Sequence, residues 1–361
     1  MRKSIYMILV AALAAVSCEN TVDKIWSDDN EAMLVLNAQL RQDERIHRVF
    51  VDCSQGASSD EVQDAAVVCS INGAAAIEAV ADIREEVNFR GDTYEKFYGY
   101  AFEADLLPGD KIEITAYWKD LSAKAVAEVP ASAARIAAID TMRVVLAEDN
   151  PWGETGRTTR QYNIAILDKA GEKDYYMLAS RDVYYKLDAS GAKIDSIAVK
   201  SQFDTDYDPI LNPIENSLLD EIIGSGNNYD IFTDEMFADA SYTLKLYDSY
   251  YSAYSDDFVH FWNGFETGGR YCMDRLVMIY TLSFDEFLYL KAINAAGNDL
   301  GFMTEPVIYP ENVIGGLGFV TVVTPEIRRI QFPVQTYAGE PPFDAYRYVD
   351  PMPTPPEGIE Y

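Results

Sequence analysis

Apolar and polar positions alternate along much of the chain from residue 32 to 130. In Lys111-Ile112-Glu113-Ile114-Thr115-Ala116-Tyr117-Trp118 the period is two, that of a strand with one buried face. Val49, Val51 and Cys53 fall in phase in one segment, and Val67, Cys69 and Ile71 in the next. Met33 to Leu40 is an apolar run suited to a buried strand, and Tyr98–Ala104 and Ala123–Val129 read as strands too. Asn72-Gly73 and Pro108-Gly109-Asp110 carry turn chemistry. This spacing, uninterrupted by a helical pattern, predicts an immunoglobulin-like or transthyretin-like sandwich over 32–130.

Pro130-Ala131-Ser132-Ala133-Ala134 reads as a linker into a larger β-rich domain over 131–336. Strands are expected near Ile136–Leu146, Thr159–Leu167, Asp174–Lys186, Ile197–Phe203, Tyr242–Tyr247 and Arg275–Leu282. One packed helix is expected near 284–296. Ser283-Phe284-Asp285-Glu286 is a capping box, Phe287, Leu288 and Leu290 to Ile293 supply an apolar face, and Gly297 ends it. Gly315, Gly316 and Gly318 lack the context of a phosphate-binding loop and suit a close approach of strands or a sharp turn. The tail, 337–361, holds Pro341, Pro342, Pro351, Pro353, Pro355 and Pro356 and should be extended and mobile, or draped on the body. The fold class is therefore mostly β, a sandwich followed by a larger β-rich domain.

Residues 1–17 have a different character. Arg2 and Lys3 precede an apolar stretch, Ile5 to Ala15, too short to span a bilayer but suited to a signal peptide. Ala15-Val16-Ser17-Cys18 resembles a bacterial lipobox, in which cleavage precedes Cys18 and its thiol is acylated; an ordinary signal peptide is the alternative. Several acyl chains on one cysteine, palmitate among them, would anchor the chain to the outer membrane. Residues 18–31 read as an acidic tether. Ser27-Asp28-Asp29 resembles the surface-export signal of Bacteroidota lipoproteins, though further along than usual, and favours a surface-exposed over a periplasm-facing body.

Composition narrows the function classes. Of 361 residues 59 are acidic and 29 basic, a net charge of −30, which argues against nucleic-acid binding. With only His47 and His260, histidine-based zinc sites and Ser-His-Asp triads find few ligands. His260, between Val259 and Phe261, reads as packed. No cofactor is expected. Cys53 and Cys69, on what look like neighbouring strands, allow a disulfide or two free thiols, and Cys272 has no evident partner.

Two segments carry candidate binding chemistry. Asp204, Asp206, Asp208 and Glu215 have EF-hand-like spacing for calcium, but Pro209 stands where that loop needs glycine; a solvated acidic loop is the alternative. Tyr250, Tyr251, Tyr254 and Trp262 could form an aromatic platform for a sugar or peptide, or simply fill strand faces.

Leu-Pro-Gly-Asp-Lys-Ile-Glu-Ile at 107–114, Val129-Pro130, Phe232 to Asp239, and above all Glu305 to Phe319 resemble the Bacteroidota lipoprotein family termed domain of unknown function 4249. The resemblance spans roughly 30 to 335. It implies an envelope protein encoded beside TonB-dependent outer-membrane transporters, hence a non-enzymatic accessory component of transport. The alternatives are a surface hydrolase using paired carboxylates, or an adhesin or structural surface protein.

Overall fold

The structure, a computed structural model, describes residues 32–54, 62, 64–87, 93–131, 135–148, 155–168, 173–211, 229–237, 241–249, 256–296, 309–339 and 342. The first strands are β1 (Leu34–Arg41), β2 (Ile46–Cys53), β3 (Ala66–Ile71), β4 (Ile77–Glu78), β5 (Val80–Val87), β6 (Thr93–Glu103), β7 (Lys111–Trp118) and β8 (Leu121–Glu128). In β7 the alternation becomes burial, with Ile112, Ile114, Ala116 and Trp118 inside. Strands β1-β2-β6-β5 face β8-β7-β3-β4 across Leu34, Leu36, Val49, Val51, Val67 and Ile114. Each such side chain stabilises the fold by roughly 1.5–3 kcal/mol.

Both turns form as their residues require. Asn72 and Gly73 have φ of 52° and 72°, the paired positive values of a two-residue hairpin turn. Gly109 has φ 83° behind Pro108, and the Asp110 N–H donates to the Leu107 carbonyl at 3.0 Å. Asn72 Nδ2 donates to Asp110 Oδ1 at 2.7 Å, tying the two turns together.

The chain continues with β9 (Arg135–Glu148), β10 (Thr155–Leu167), β11 (Tyr175–Leu187), β12 (Lys193–Ser201), β13 (Phe203–Asp204), β14 (Asp230–Thr233), β15 (Ser241–Asp248), helix α1 (Asp256–Trp262), β16 (Arg270–Leu282), helix α2 (Phe284–Ala296), β17 (Val313–Ile314), β18 (Val320–Gln331) and β19 (Gln335–Thr336), most of which build a second sandwich. Sheet β13-β15-β10-β9 packs on β12-β11-β16-β18 through Tyr162, Ile164, Tyr176, Leu178, Leu244, Leu246, Val277 and Ile279. The expected helix is α2. Helix α1, β5 and β14 add to the elements expected from sequence.

One sheet runs through both sandwiches, in the order β12-β11-β16-β18-β1-β2-β6-β5. Strand β18 makes the join. Val320–Val323 pair in parallel with Ala38–Arg41 of β1, and Thr324–Gln331 pair antiparallel with β16. Just upstream, β17 pairs with β8, so the segment leading into β18 lies within the first sandwich. The glycine cluster permits this. A Cβ on Gly316 would lie 2.4 Å from the Leu34 carbonyl oxygen, and one on Gly318 (φ 111°) 2.3 Å from that of Leu36. The glycines let Leu317 exchange hydrogen bonds of 2.8 Å with Leu34 and Leu36, the close approach anticipated from their type.

Candidate functional site

The joint between the sandwiches carries a cleft. One edge of β11 is shared by two strands: β14 pairs with Tyr175–Leu178 and β12 with Ser180–Leu187, leaving Ala179 at a gap between them. Past Ser201 the chain leaves this sheet and enters the other one as β13. A cleft of about 200 Å³ opens there. Met177, Met278 and Tyr280 give it an apolar wall, and β1 contributes Gln39 and Arg41, which alternate away from the first core.

Its charged lining is Arg41, Arg181, Lys200 and Asp230. Arg41 is held by both oxygens of Asp43, at 3.1 and 2.8 Å, with its guanidinium 5.6 Å from the Tyr280 ring centre. Arg181 and Lys200 are exposed and sit directly opposite each other in the β11–β12 register. Burial pushes the Asp230 carboxyl up to about 6, against the pull of Thr205 and Lys200; Asp206 reinforces the rise.

Glu286 lies beside this cleft. Its N–H donates to Ser283 Oγ at 3.1 Å, so Ser283 caps α2 as expected. Its carboxylate does not close the capping box. It points inward, accepting from Gln39 Nε2 and Thr321 Oγ1, both at 2.7 Å, and is 1% exposed. Burial pushes its pKa up to about 7, opposed by those two hydrogen bonds. Glu286 thus links α2 to β1 and β18 at the join. A second cleft, of about 270 Å³, adjoins it and is lined by Ser283, Thr321, Lys111 and Glu128.

A third polar group is sealed inside the second sandwich. Arg275 on β16 is 0% exposed. Its Nε and Nη2 donate to Asp182 at 2.8 Å each, and its Nη1 donates to Asp248 at 2.7 Å and to the Tyr162 hydroxyl at 2.9 Å. Burial lifts the Asp248 carboxyl, while the Arg275 charge opposes that rise. The group spans both sheets.

The sequence-derived candidates fall elsewhere. Cys18, Glu215, Tyr250, Tyr251 and Tyr254 lie outside the described residues. Trp262 is 2% exposed, stacked on Tyr337 at 5.1 Å and edge-on to Tyr271, so it is a core residue and offers solvent no platform. Phe258 and Trp262, four apart on α1, face inward, which turns His260 outward; the expected packed histidine is exposed.

Asp208 is likewise no loop ligand. Fully buried, it accepts from the N–H groups of Ile210 (3.0 Å) and Lys245 (2.7 Å), and the Tyr242 hydroxyl lies 3.3 Å from its Oδ1. Asp204 ends β13 and Asp206 lies in the turn after it, where the Asp206 N–H donates to Asp204 Oδ1 at 3.3 Å. Among the described residues no group of three His, Cys, Asp or Glu is placed to hold a metal.

Cys53 and Cys69 are free and stand on β2 and β3, in opposite sheets, correcting the picture of neighbouring strands. Burial pushes the Cys69 thiol up to about 12. The cleft residues Arg181, Lys200 and Asp230 had no local signal, because strands distant in sequence bring them together.

Fold and cleft together define a class: a β protein of two sandwiches sharing one sheet, with a cation-lined cleft at the joint. The chain belongs to the family described as a domain of unknown function, DUF4249, which matches residues 20–329. No curated protein matches it.

Proposed function

We propose that this chain is a lipid-anchored protein of the cell envelope that works by binding, as an accessory component of a TonB-dependent outer-membrane transporter. The observation that carries the binding role is the cleft at the joint, where β1 of the first sandwich and β11, β12, β14 and β16 of the second converge. Ligand sites favour such junctions, which present side chains from independent elements to one small volume. Two carboxyls near the cleft are raised, of which Asp230 lines it and Glu286 is sealed beside it. A single lining carboxyl suits binding better than the paired-acid chemistry of a glycosidase-type hydrolase. The anchor rests on Cys18 behind its apolar run, with the body displayed at the cell surface. The transporter partnership rests on the family to which the chain belongs.

The test is recovery of the tagged full chain from mildly solubilised outer membranes, with co-purifying proteins identified by mass spectrometry. A TonB-dependent transporter in stoichiometric amount is the expected result. Recovery of the chain alone, while known complexes survive the same extraction, overturns the accessory role.

A further inference from the structure

On the sheet face beside the cleft, residues in register form a row: Lys200 on β12, Arg181 on β11, Leu276 on β16 and Arg329 on β18. Directly opposed side chains on paired strands stand about 4.5–5.5 Å apart at Cβ, and like charges there repel. Arg181 and Lys200 are such a pair, in a chain with twice as many acids as bases. Other cations nearby are matched. Asp274 lies 3.5 Å from Lys193 and 3.7 Å from Arg329, and Arg41 is paired with Asp43. Among the described residues neither Arg181 nor Lys200 has a salt bridge, and both line the cleft. Two opposed cations at the rim of a cavity with an apolar wall form a receptor for an acid group on a small organic body.

We propose that the cleft binds a small organic carboxylate, its acid group held between Arg181 and Lys200 and its body lying against Met278 and Tyr280. Arginine offers a carboxylate two parallel donors, lysine a point charge, and the anion relieves the repulsion between them. The cavity of about 200 Å³ takes a small molecule and not a polymer segment. Asp230 lines the same cleft and its charge opposes an anion. The charged groups acting on it are Lys200 and Asp206, and with a pKa of about 6 it is largely neutral at pH 5. Affinity for a carboxylate that stays ionised should therefore rise between pH 7.5 and 5.

This inference rests on the binding role proposed above and narrows its ligand. The test is calorimetric titration of the full chain, in non-ionic detergent, with glucuronate against glucose, benzoate against benzyl alcohol, and inorganic phosphate. In at least one pair the acid should bind about tenfold or more tightly than its neutral partner, with Arg181→Gln and Lys200→Gln each weakening it by about tenfold. Arg181→Gln should not lower the melting temperature of the ligand-free chain, since it removes a like-charge contact, whereas Lys200→Gln also removes the cation that draws Asp230 toward its charged form. Equal binding of acid and neutral partners, no binding by any acid, acid binding untouched by both variants, or binding of phosphate alone would each overturn the assignment. A transporter recovered from membranes alongside any of these results leaves the accessory role standing and this ligand class refuted.

Discussion

The two sandwiches share a sheet but not a kind of core. Between the sheets of the first lie Leu34, Leu36, Val49, Val51, Val67, Ile112 and Ile114, held by burial alone. Between those of the second, Arg275 is wholly enclosed with Asp182, Asp248 and Tyr162. Apolar cores tolerate exchange of one aliphatic side chain for another of similar volume, because dispersion and burial are non-directional. A buried ion group is directional. Its members offset one another's desolvation, and loss of one leaves the others charged and without water. The first half is therefore expected to degrade gradually under mutation and the second abruptly.

The strongest challenge to this contrast is Arg275→Ala, which strands Asp182 and Asp248 in the core. A loss of about 3–5 kcal/mol is expected in urea unfolding. Hydrogen exchange should rise first in β10, β11, β15 and β16; a loss under 1 kcal/mol would show that the ion group adds little.

Next comes Glu286→Gln, at the join itself. The folded pKa of Glu286, about 7, stands above its ordinary 4.5. The folded chain keeps the proton between those values, so this group's contribution to stability falls as pH rises from 4.5 to 7, and the cost is complete above 7. At about 1.4 kcal/mol per pH unit that cost approaches roughly 3 kcal/mol. Asp230 acts in the same sense, and His47, whose pKa burial lowers, in the opposite one. Glu286→Gln should raise stability at pH 8 by about 2 kcal/mol and flatten the pH dependence between 5 and 8, read from melting temperatures across that range. An unchanged pH profile would mean that the carboxylate is ionised without cost.

The smallest effect belongs to the first core. Ile114→Val removes one methylene from a fully buried site and should cost about 0.5–1.5 kcal/mol, with the unfolding transition otherwise unaltered. A cost comparable to that of Arg275→Ala would erase the distinction between the two cores.

Legibility from sequence followed locality. Strand β7, the Asn72-Gly73 turn and the extent of α2 are where alternation, turn type and capping put them. Helix α1 was hidden because Asp256 to Trp262 is short and rich in aromatics that suit a strand as well. The inward turn of Glu286 was hidden because a capping box describes the helix end alone, while Gln39 and Thr321 bid for the same carboxylate from 247 and 35 residues away.

By itself the sequence determined where most strands, the longer helix and the two tight turns lie, since periods and turn residues act within a few positions. Only the tertiary structure decided that β18 serves both sandwiches, that Arg275 is sealed between two sheets, and that Arg181 faces Lys200 at the rim of a cleft. Each depends on register between strands far apart in the chain, and a shift of one residue would turn those side chains to the other face.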